Sequence, residues 1–207
     1  MSATSMHDQS WKQRPGILHA VTDVIAELPV PDWFPTRQPL ELELGCGDGS
    51  FLARYAEEHR DRNFLGVERL NGRVKKLDKK ARRAALTNIA LLRFEATYLV
   101  RYLIPAQSLS AIHVYFPDPW PKERHRVRRL IQADFIRDAE RVLVPGGVFY
   151  LRTDDLDYFE QMLEVFRENA HYEAVDTPPE LREIRTDFEI EFNERGIPTN
   201  HAAYRRR

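Results

Sequence analysis

The segment Leu40-Glu41-Leu42-Glu43-Leu44-Gly45-Cys46-Gly47-Asp48-Gly49 runs a hydrophobic stretch into three alternate glycines, and a helical pattern follows. Glycine allows a sharp backbone turn and the close approach of a ligand. Ligand sites of open α/β sheets form at the carboxyl ends of the strands. The spacing here, G-x-G-x-G, differs from the G-x-G-x-x-G that sets a dinucleotide pyrophosphate against a helix N-terminus. Glu43, two residues before the first glycine, would repel pyrophosphate. It suits instead a ligand with a positively charged amino-acid end, such as S-adenosylmethionine, which also carries a sulfonium. Glu68 closes the second strand and is placed to accept both ribose hydroxyls of such a donor. Glu95, in Phe94-Glu95-Ala96, closes the third and is placed near the adenine amine. A strand-end carboxylate taken singly is more often a solvated cap. Three at successive strand ends beside a glycine turn point to a shared ligand.

The fourth strand end carries the most information. In Phe116-Pro117-Asp118-Pro119-Trp120-Pro121-Lys122 three prolines within five residues impose an extended, rigid loop, so Asp118 and Trp120 are held in place. Lys122, Arg124, Arg126, Arg128 and Arg129 follow at once. A fixed carboxylate, an aromatic and then arginines make a base pocket with a phosphate-binding rim. Trp120 can stack on a base or pack in the core, and His125 can touch phosphate or cap the next helix. His113, inside a strand, reads as structural.

The elements that must position these groups alternate from residue 40 onward. Strands are expected at Leu40–Leu44, Asn63–Glu68, Ile89–Phe94, Ala111–Phe116 and Val148–Arg152. Helices are expected at Phe51–His59, Val74–Leu86, Arg129–Leu143 and Leu156–Asn169, with a turn or two near Tyr98–Leu103. Pro145-Gly146-Gly147 should close a helix before the next strand. This βαβα rhythm predicts an α/β fold, a mainly parallel sheet with helices on both faces. Glu173–Val175 and Phe188–Phe192 are expected as antiparallel edge strands. Residues 1–14 read as a loose tail and Ile17–Leu28 as a short helix with Val21, Val24, Ile25 and Leu28 on one stripe. The expected division is thus an N-terminal tail and short helix over 1–39, then one catalytic-size domain over 40–207.

The chain has 207 residues, 43% hydrophobic and 30% charged, enough for one well-filled core. No run approaches the roughly 18–20 apolar residues of a membrane span, and Met1–Lys12 lacks the apolar stretch of a secretory signal. Cys46 stands alone and no Cys/His cluster has zinc spacing, so no metal is expected and a reducing cytoplasm is the default. The net charge of −1 hides segregation. Between Arg69 and Arg83 eight basic residues face only Asp78, and Arg205, Arg206 and Arg207 follow one another. Basic clusters on an otherwise acidic chain are what a polyanion-binding face needs, although the first cluster also reads as the wet face of a helix.

Taken together, Glu43-Leu44-Gly45-Cys46-Gly47-Asp48-Gly49, Gly66-Val67-Glu68, Glu95-Ala96, the Phe116–Leu130 loop, Arg152-Thr153-Asp154 and Thr186-Asp187-Phe188-Glu189 resemble, in order, the motifs of the TrmB family of tRNA (guanine-N7-)-methyltransferases. The match covers about residues 40–196. The resemblance implies a Rossmann-like class I S-adenosylmethionine-dependent methyltransferase fold. It implies a donor site of Glu43, Gly45, Gly47, Gly49, Glu68, Glu95, Ala96 and Asp118, with Asp118 catalytic. It implies tRNA contacts by Lys122, Arg124, Arg128, Arg129, Asp154, Thr186, Asp187, Phe188 and Glu189, and a target guanine in the variable loop, position 46 in tRNA numbering. The chain departs from the family at Glu95, where Asp or Asn is more usual, and lacks the long basic extension some members carry before residue 40. The implied chemistry needs no strong base, because guanine N7 offers an in-plane lone pair and loses no proton. It needs in-line alignment and stabilisation of a migrating positive charge, with local opening of the folded tRNA. The alternatives are a methyltransferase of an exocyclic amine in RNA or DNA, whose loop after strand four usually has a second proline and a terminal aromatic, and a silent methyltransferase fold that only binds RNA. Oligomeric state is not legible in the sequence.

Overall fold

A computed structural model describes residues 10–207; of the expected loose tail, residues 1–9 lie outside the described part. One eight-stranded sheet organises the molecule, with β1 (Leu18–His19), β2 (Leu40–Leu44), β3 (Asn63–Val67), β4 (Ile89–Leu92), β5 (Leu109–Tyr115), β6 (Leu143–Thr153), β7 (Tyr172–Val175) and β8 (Asn200–Arg206). Their order is β1-β4-β3-β2-β5-β6-β8-β7. β1 to β6 run parallel to their neighbours, and β8 lies antiparallel between β6 and β7. The parallel pairings demand crossovers. These are α1 (Ser50–Glu58), α2 (Asn71–Arg83), α3 (Ala96–Tyr98) with a π turn at Leu99–Leu103, α4 (Ala133–Val142) and α5 (Leu156–Arg167). Beyond β7 lie α6 (Pro179–Glu183) and α7 (Asp187–Glu194).

Strand alternation sorts the central sheet into two faces. Leu42, Leu44, Leu65, Ile112, Val114, Phe149 and Leu151 face one core, which α4 and α5 cover with Phe135, Ile136, Tyr158, Met162 and Phe166. The opposite face, under α1 and α2, packs Phe51, Tyr55, Val74 and Leu77 against Phe64, Leu91 and Tyr115. This second face also buries charge. Glu41 accepts from Arg62 at 2.9 Å and shares a 2.7 Å hydrogen bond with His113 Nε2, while His113 Nδ1 meets Tyr115 Oη at 2.7 Å. Burial pushes the Glu41 carboxyl upward, but His113 and Arg62 outweigh it and leave it below the usual carboxylate range. His113 is structural, as its place in a strand suggests.

Three expectations fail. Ile17–Leu28 is not helical: Ile17 donates to the Asp78 carboxylate at 2.9 Å, its carbonyl accepts from Leu91, and the chain then pairs along β4 as β1. Val24 and Ile25 are exposed there, so the apolar stripe does not form. Phe188–Phe192 is not a strand but part of α7, and the inner antiparallel strand is Asn200–Arg206. Residues 10–14 are not loose: Ser10–Gln13 forms a 3-10 turn, and Arg14 donates to the last carbonyls of α2, Arg82 at 2.7 Å and Arg83 at 3.2 Å. The other elements fall within a few residues of expectation, except that α4 starts only at Ala133 and Pro145-Gly146-Gly147 sits in an irregular opening of β6.

Candidate functional site

The turn after β2 is fastened to β3, because the N–H groups of Gly45 and Cys46 both donate to Val67 O, at 2.8 and 3.0 Å. Gly45 has φ +74° and open space where a Cβ would stand, whereas a Cβ on Gly49 (φ +75°) would collide with the Leu77 side chain. The first glycine therefore leaves room at the turn, and the third lets α1 and α2 pack closely. Glu68, at the end of β3, accepts from the N–H groups of Gly47 (3.1 Å), Arg69 (2.7 Å) and Leu70 (2.8 Å). Its carboxylate thus shapes the turn and leaves lone-pair capacity over. Glu95, at the end of β4, is exposed and caps α3, accepting from Thr97 at 2.9 Å and Tyr98 at 2.7 Å.

Beyond β5 the backbone is strained: Phe116 (φ +49°) and Trp120 (φ +43°) occupy the left-handed region without being glycine. Between them Asp118 is exposed and makes no hydrogen bond to another described residue. Four strand ends open on one cavity of about 1180 Å³, whose wall includes Gly45, Glu68, Glu95, Ala96, Asp118 and Trp120, with Arg69, Arg73, Arg93, Arg101 and Arg128 also along it. Trp120 is half-buried on that wall, the Arg128 guanidinium 5.0 Å from its ring centre and the His125 ring edge-on at 5.9 Å. It is a wall residue and not a core residue.

Glu43 lies beneath the turn, almost fully buried, and its Oε2 has no hydrogen-bond partner. Burial raises its pKa to about 8, with Arg152 pulling down and Glu68 pushing up. A buried carboxylate oxygen without a partner beside an open glycine turn fits a ligand that brings a cationic or N–H donor group. The donor set therefore fits the amino-acid end of S-adenosylmethionine. Gly47 and Gly49 shape the turn without lining the cavity, and Glu43 too lies buried behind its wall and not on it.

The expected substrate residues divide. Lys122, Arg124 and Arg128 are exposed in the basic stretch after the proline loop, and Asp154 stands half-buried just past β6. Arg129 is a correction. It is buried, and it donates to Pro119 O (2.7 Å), Gln161 (2.7 Å) and Asp157 (2.5 Å), with its guanidinium 4.7 Å from the Tyr158 ring centre. These bonds hold the proline loop on α5, so the side chain does not reach solvent phosphate. Thr186 and Glu189 are a second correction. Thr186 Oγ1 caps α7 by accepting from Glu189 N at 3.0 Å, and the Glu189 carboxylate is buried against Arg152. Only Asp187 and Phe188 of that motif are exposed, Phe188 with the Arg73 guanidinium 5.8 Å from its ring centre. Arg152, read in the sequence as the start of the Arg152-Thr153-Asp154 motif, is the buried partner of Glu189. Its signal was an arginine continuing the apolar run Val148-Phe149-Tyr150-Leu151 into a strand end.

A glycine turn after the first central strand, acidic residues at the following strand ends and an antiparallel strand inserted beside the last parallel one define the class I S-adenosylmethionine-dependent methyltransferases. The fold is similar to that of the 16S rRNA methyltransferase KamB, with TM-score 0.60 at 16% identity over 86% of this chain and 89% of that one. Residues 37–205 match the family profile Methyltransf_4, described as "Putative methyltransferase". A relative from Alkalilimnicola ehrlichii named tRNA (guanine-N(7)-)-methyltransferase is 35% identical over 83% of this chain and 72% of its own length. One of the same name from Halorhodospira halophila is 36% identical over 84% and 78%. Across such relatives the match spans 52% to 78% of their own length. The chain belongs to this TrmB-type methyltransferase family. Among the described residues no helix is long and apolar enough to cross a membrane, and no three His, Cys, Asp or Glu side chains are grouped to hold a metal ion.

Proposed function

We propose that this chain transfers the methyl group of S-adenosylmethionine to N7 of a guanine in tRNA, the reaction named in the relatives it resembles, and that the target lies in the variable loop and the reaction takes place in the cytoplasm. The observation that carries the reading is the strained loop that presents Asp118 and Trp120 on the cavity wall, with the basic stretch immediately after it. S-adenosylmethionine supplies an electrophilic methyl group on a positively charged sulfur. Glu43 would hold its amino end, Glu68 the ribose, and Glu95 with Ala96 the adenine side. Asp118, whose oxygens bond to no other described residue, orients the guanine and faces the positive charge that develops on its imidazole ring. Trp120 offers a flat wall for the base and Arg128 a cation beside it. Lys122, Arg124 and Arg128 grip phosphates, while Asp154, Asp187 and Phe188 contact flanking parts of the tRNA. Residues 40–207 carry both sites in this reading, and residues 10–39 brace them.

Incubation with labelled donor and bulk unmodified tRNA, followed by mapping of the methyl group, tests the assignment. A tRNA with 7-deazaguanine at the target should bind and accept no methyl, since one ring nitrogen is replaced and the Watson–Crick edge is kept. Turnover on that analogue transfers the assignment to an exocyclic amine.

A further inference from the structure

The outer face of α2 carries cations that no carboxylate neutralises among the described residues. Val74, Leu77 and Ala81 turn inward, so Lys75, Lys76, Lys79 and Arg83 turn outward, and all four are exposed. The remaining cations of this helix region have partners: Arg73 with Glu68 at 3.7 Å, Lys80 with Asp48 at 3.0 Å and Arg82 with Asp78 at 3.5 Å. Among the described residues the outward four pair with no carboxylate. Lys75, Lys79 and Arg83 follow one another at i, i+4 spacing, an arrangement of like charges that weakens a helix. The helix dipole favours cations in the last turn only, which accounts for Arg83 and not for Lys75 or Lys76.

More charge is gathered at the far end. The Trp11 ring has Lys79, Arg82 and Arg83 at 5.8, 5.6 and 5.0 Å from its centre, and Lys12 at 6.0 Å. The 3-10 turn that carries Trp11 is pinned by the Arg14 bonds to the end of α2. The near end begins at the cavity, since Arg69, Leu70 and Arg73 belong to its wall. A helix of 13 residues is about 20 Å long. The basic face therefore runs continuously from the cavity edge to a point well beyond the reach of a single bound nucleotide.

We infer that the outer face of α2, through Lys75, Lys76, Lys79 and Arg83, is a second docking surface for tRNA that holds backbone phosphates away from the target guanine. This rests on the reading of tRNA as substrate given above. The occupant follows from charge and length: a row of uncompensated cations on an acidic chain fits an extended polyanion. A surface of this kind fixes where the body of the tRNA lies while the cavity takes one base.

The test uses the full chain with Lys75→Gln, Lys76→Gln and Lys79→Gln combined, and binding of bulk unmodified tRNA measured from about 50 to 200 mM salt. The log–log salt slope should flatten by about two to three units, with affinity at low salt falling about tenfold or more. Affinity for S-adenosylmethionine should stay at wild type. Lys→Arg at the same three positions should restore both slope and affinity. An unchanged slope in the Gln variant overturns the surface, as does a wild-type protein that fails to bind tRNA. Mapping the methyl group on wild-type product separates the two readings. If methyl is found on an atom other than N7 while the slope still flattens, the docking surface stands and the reaction assignment falls. If methyl is on N7 and the slope is unmoved, the reverse holds.

Discussion

The Arg152 guanidinium and the Glu189 carboxylate meet at 3.1 Å with both side chains 3% exposed or less. The same guanidinium donates to Ile184 O at 2.9 Å and to Leu181 O, and lies 4.1 Å from the Tyr115 ring centre. One side chain on β6 thus fastens α6 and α7 to the sheet beside the strand end that leads to Asp118. Arg152→Met should strip the buried Glu189 of its guanidinium partner, leaving His201 at 3.8 Å beside it, and lower stability by about 3–5 kcal/mol. A urea midpoint near wild type would show that α7 is held by other contacts.

Glu43 sets a pH dependence. Its folded pKa of about 8 lies above the ordinary 4.5, so between those values the folded chain keeps a proton that the unfolded chain releases. Its contribution therefore makes the fold less stable as pH rises through that window, and Glu43→Gln should flatten the loss. A bound cationic amino group favours the ionised form, so donor binding at pH 7 should release roughly one proton. Titration calorimetry in buffers of different ionisation heat reads this directly. Equal heats in all buffers would remove Glu43 from the amino-group site.

Glu68→Ala should damage two things together. Three backbone N–H bonds to its carboxylate disappear, with a stability loss of about 1–2 kcal/mol by analogy with lost helix caps. Donor affinity should fall by about tenfold or more as the ribose contact goes. Calorimetric affinity unchanged in a protein destabilised on melting would confine Glu68 to shaping the turn.

Adjacent arginines should separate cleanly. Arg128→Ala should lower tRNA affinity and flatten the salt slope by about one unit, with little change in melting temperature. Arg129→Ala should destabilise the fold, because its bonds to Pro119, Gln161 and Asp157 hold the proline loop. Reversal of these two phenotypes would return Arg129 to the tRNA face.

The sequence displayed the parallel core because its signals were local: Leu40–Leu44 matches its strand residue for residue, and Gly45, Glu68 and Glu95 follow their strands onto one cavity while Glu43 stays buried behind it. It misled where long-range contacts decide. Phe188, Ile190 and Phe192 alternate like a strand, yet Arg152, 37 residues away, holds Glu189 in a helix that Thr186 caps. Asn200–Arg206 has no apolar pattern, and it becomes a strand because β6 and β7 flank it on both sides. Charge was the other blind spot. Arg129 looks like a surface cation in the sequence, and only its burial and its bonds to Pro119 and Asp157 show otherwise.

The place of β8 has a consequence in time. It is the last of the eight strands along the chain, yet it sits inside the sheet, and β7 reaches the sheet only through it. During synthesis at about 5–20 residues per second, β1 to β6 can assemble while residues 200–206 are still unmade. Asp187 and Phe188 open α7, within the segment between β7 and β8. The glycine turn and the proline loop can therefore take shape before α6, α7 and β8 are added, and a nascent chain passes through a stage in which Arg152 has yet to meet Glu189.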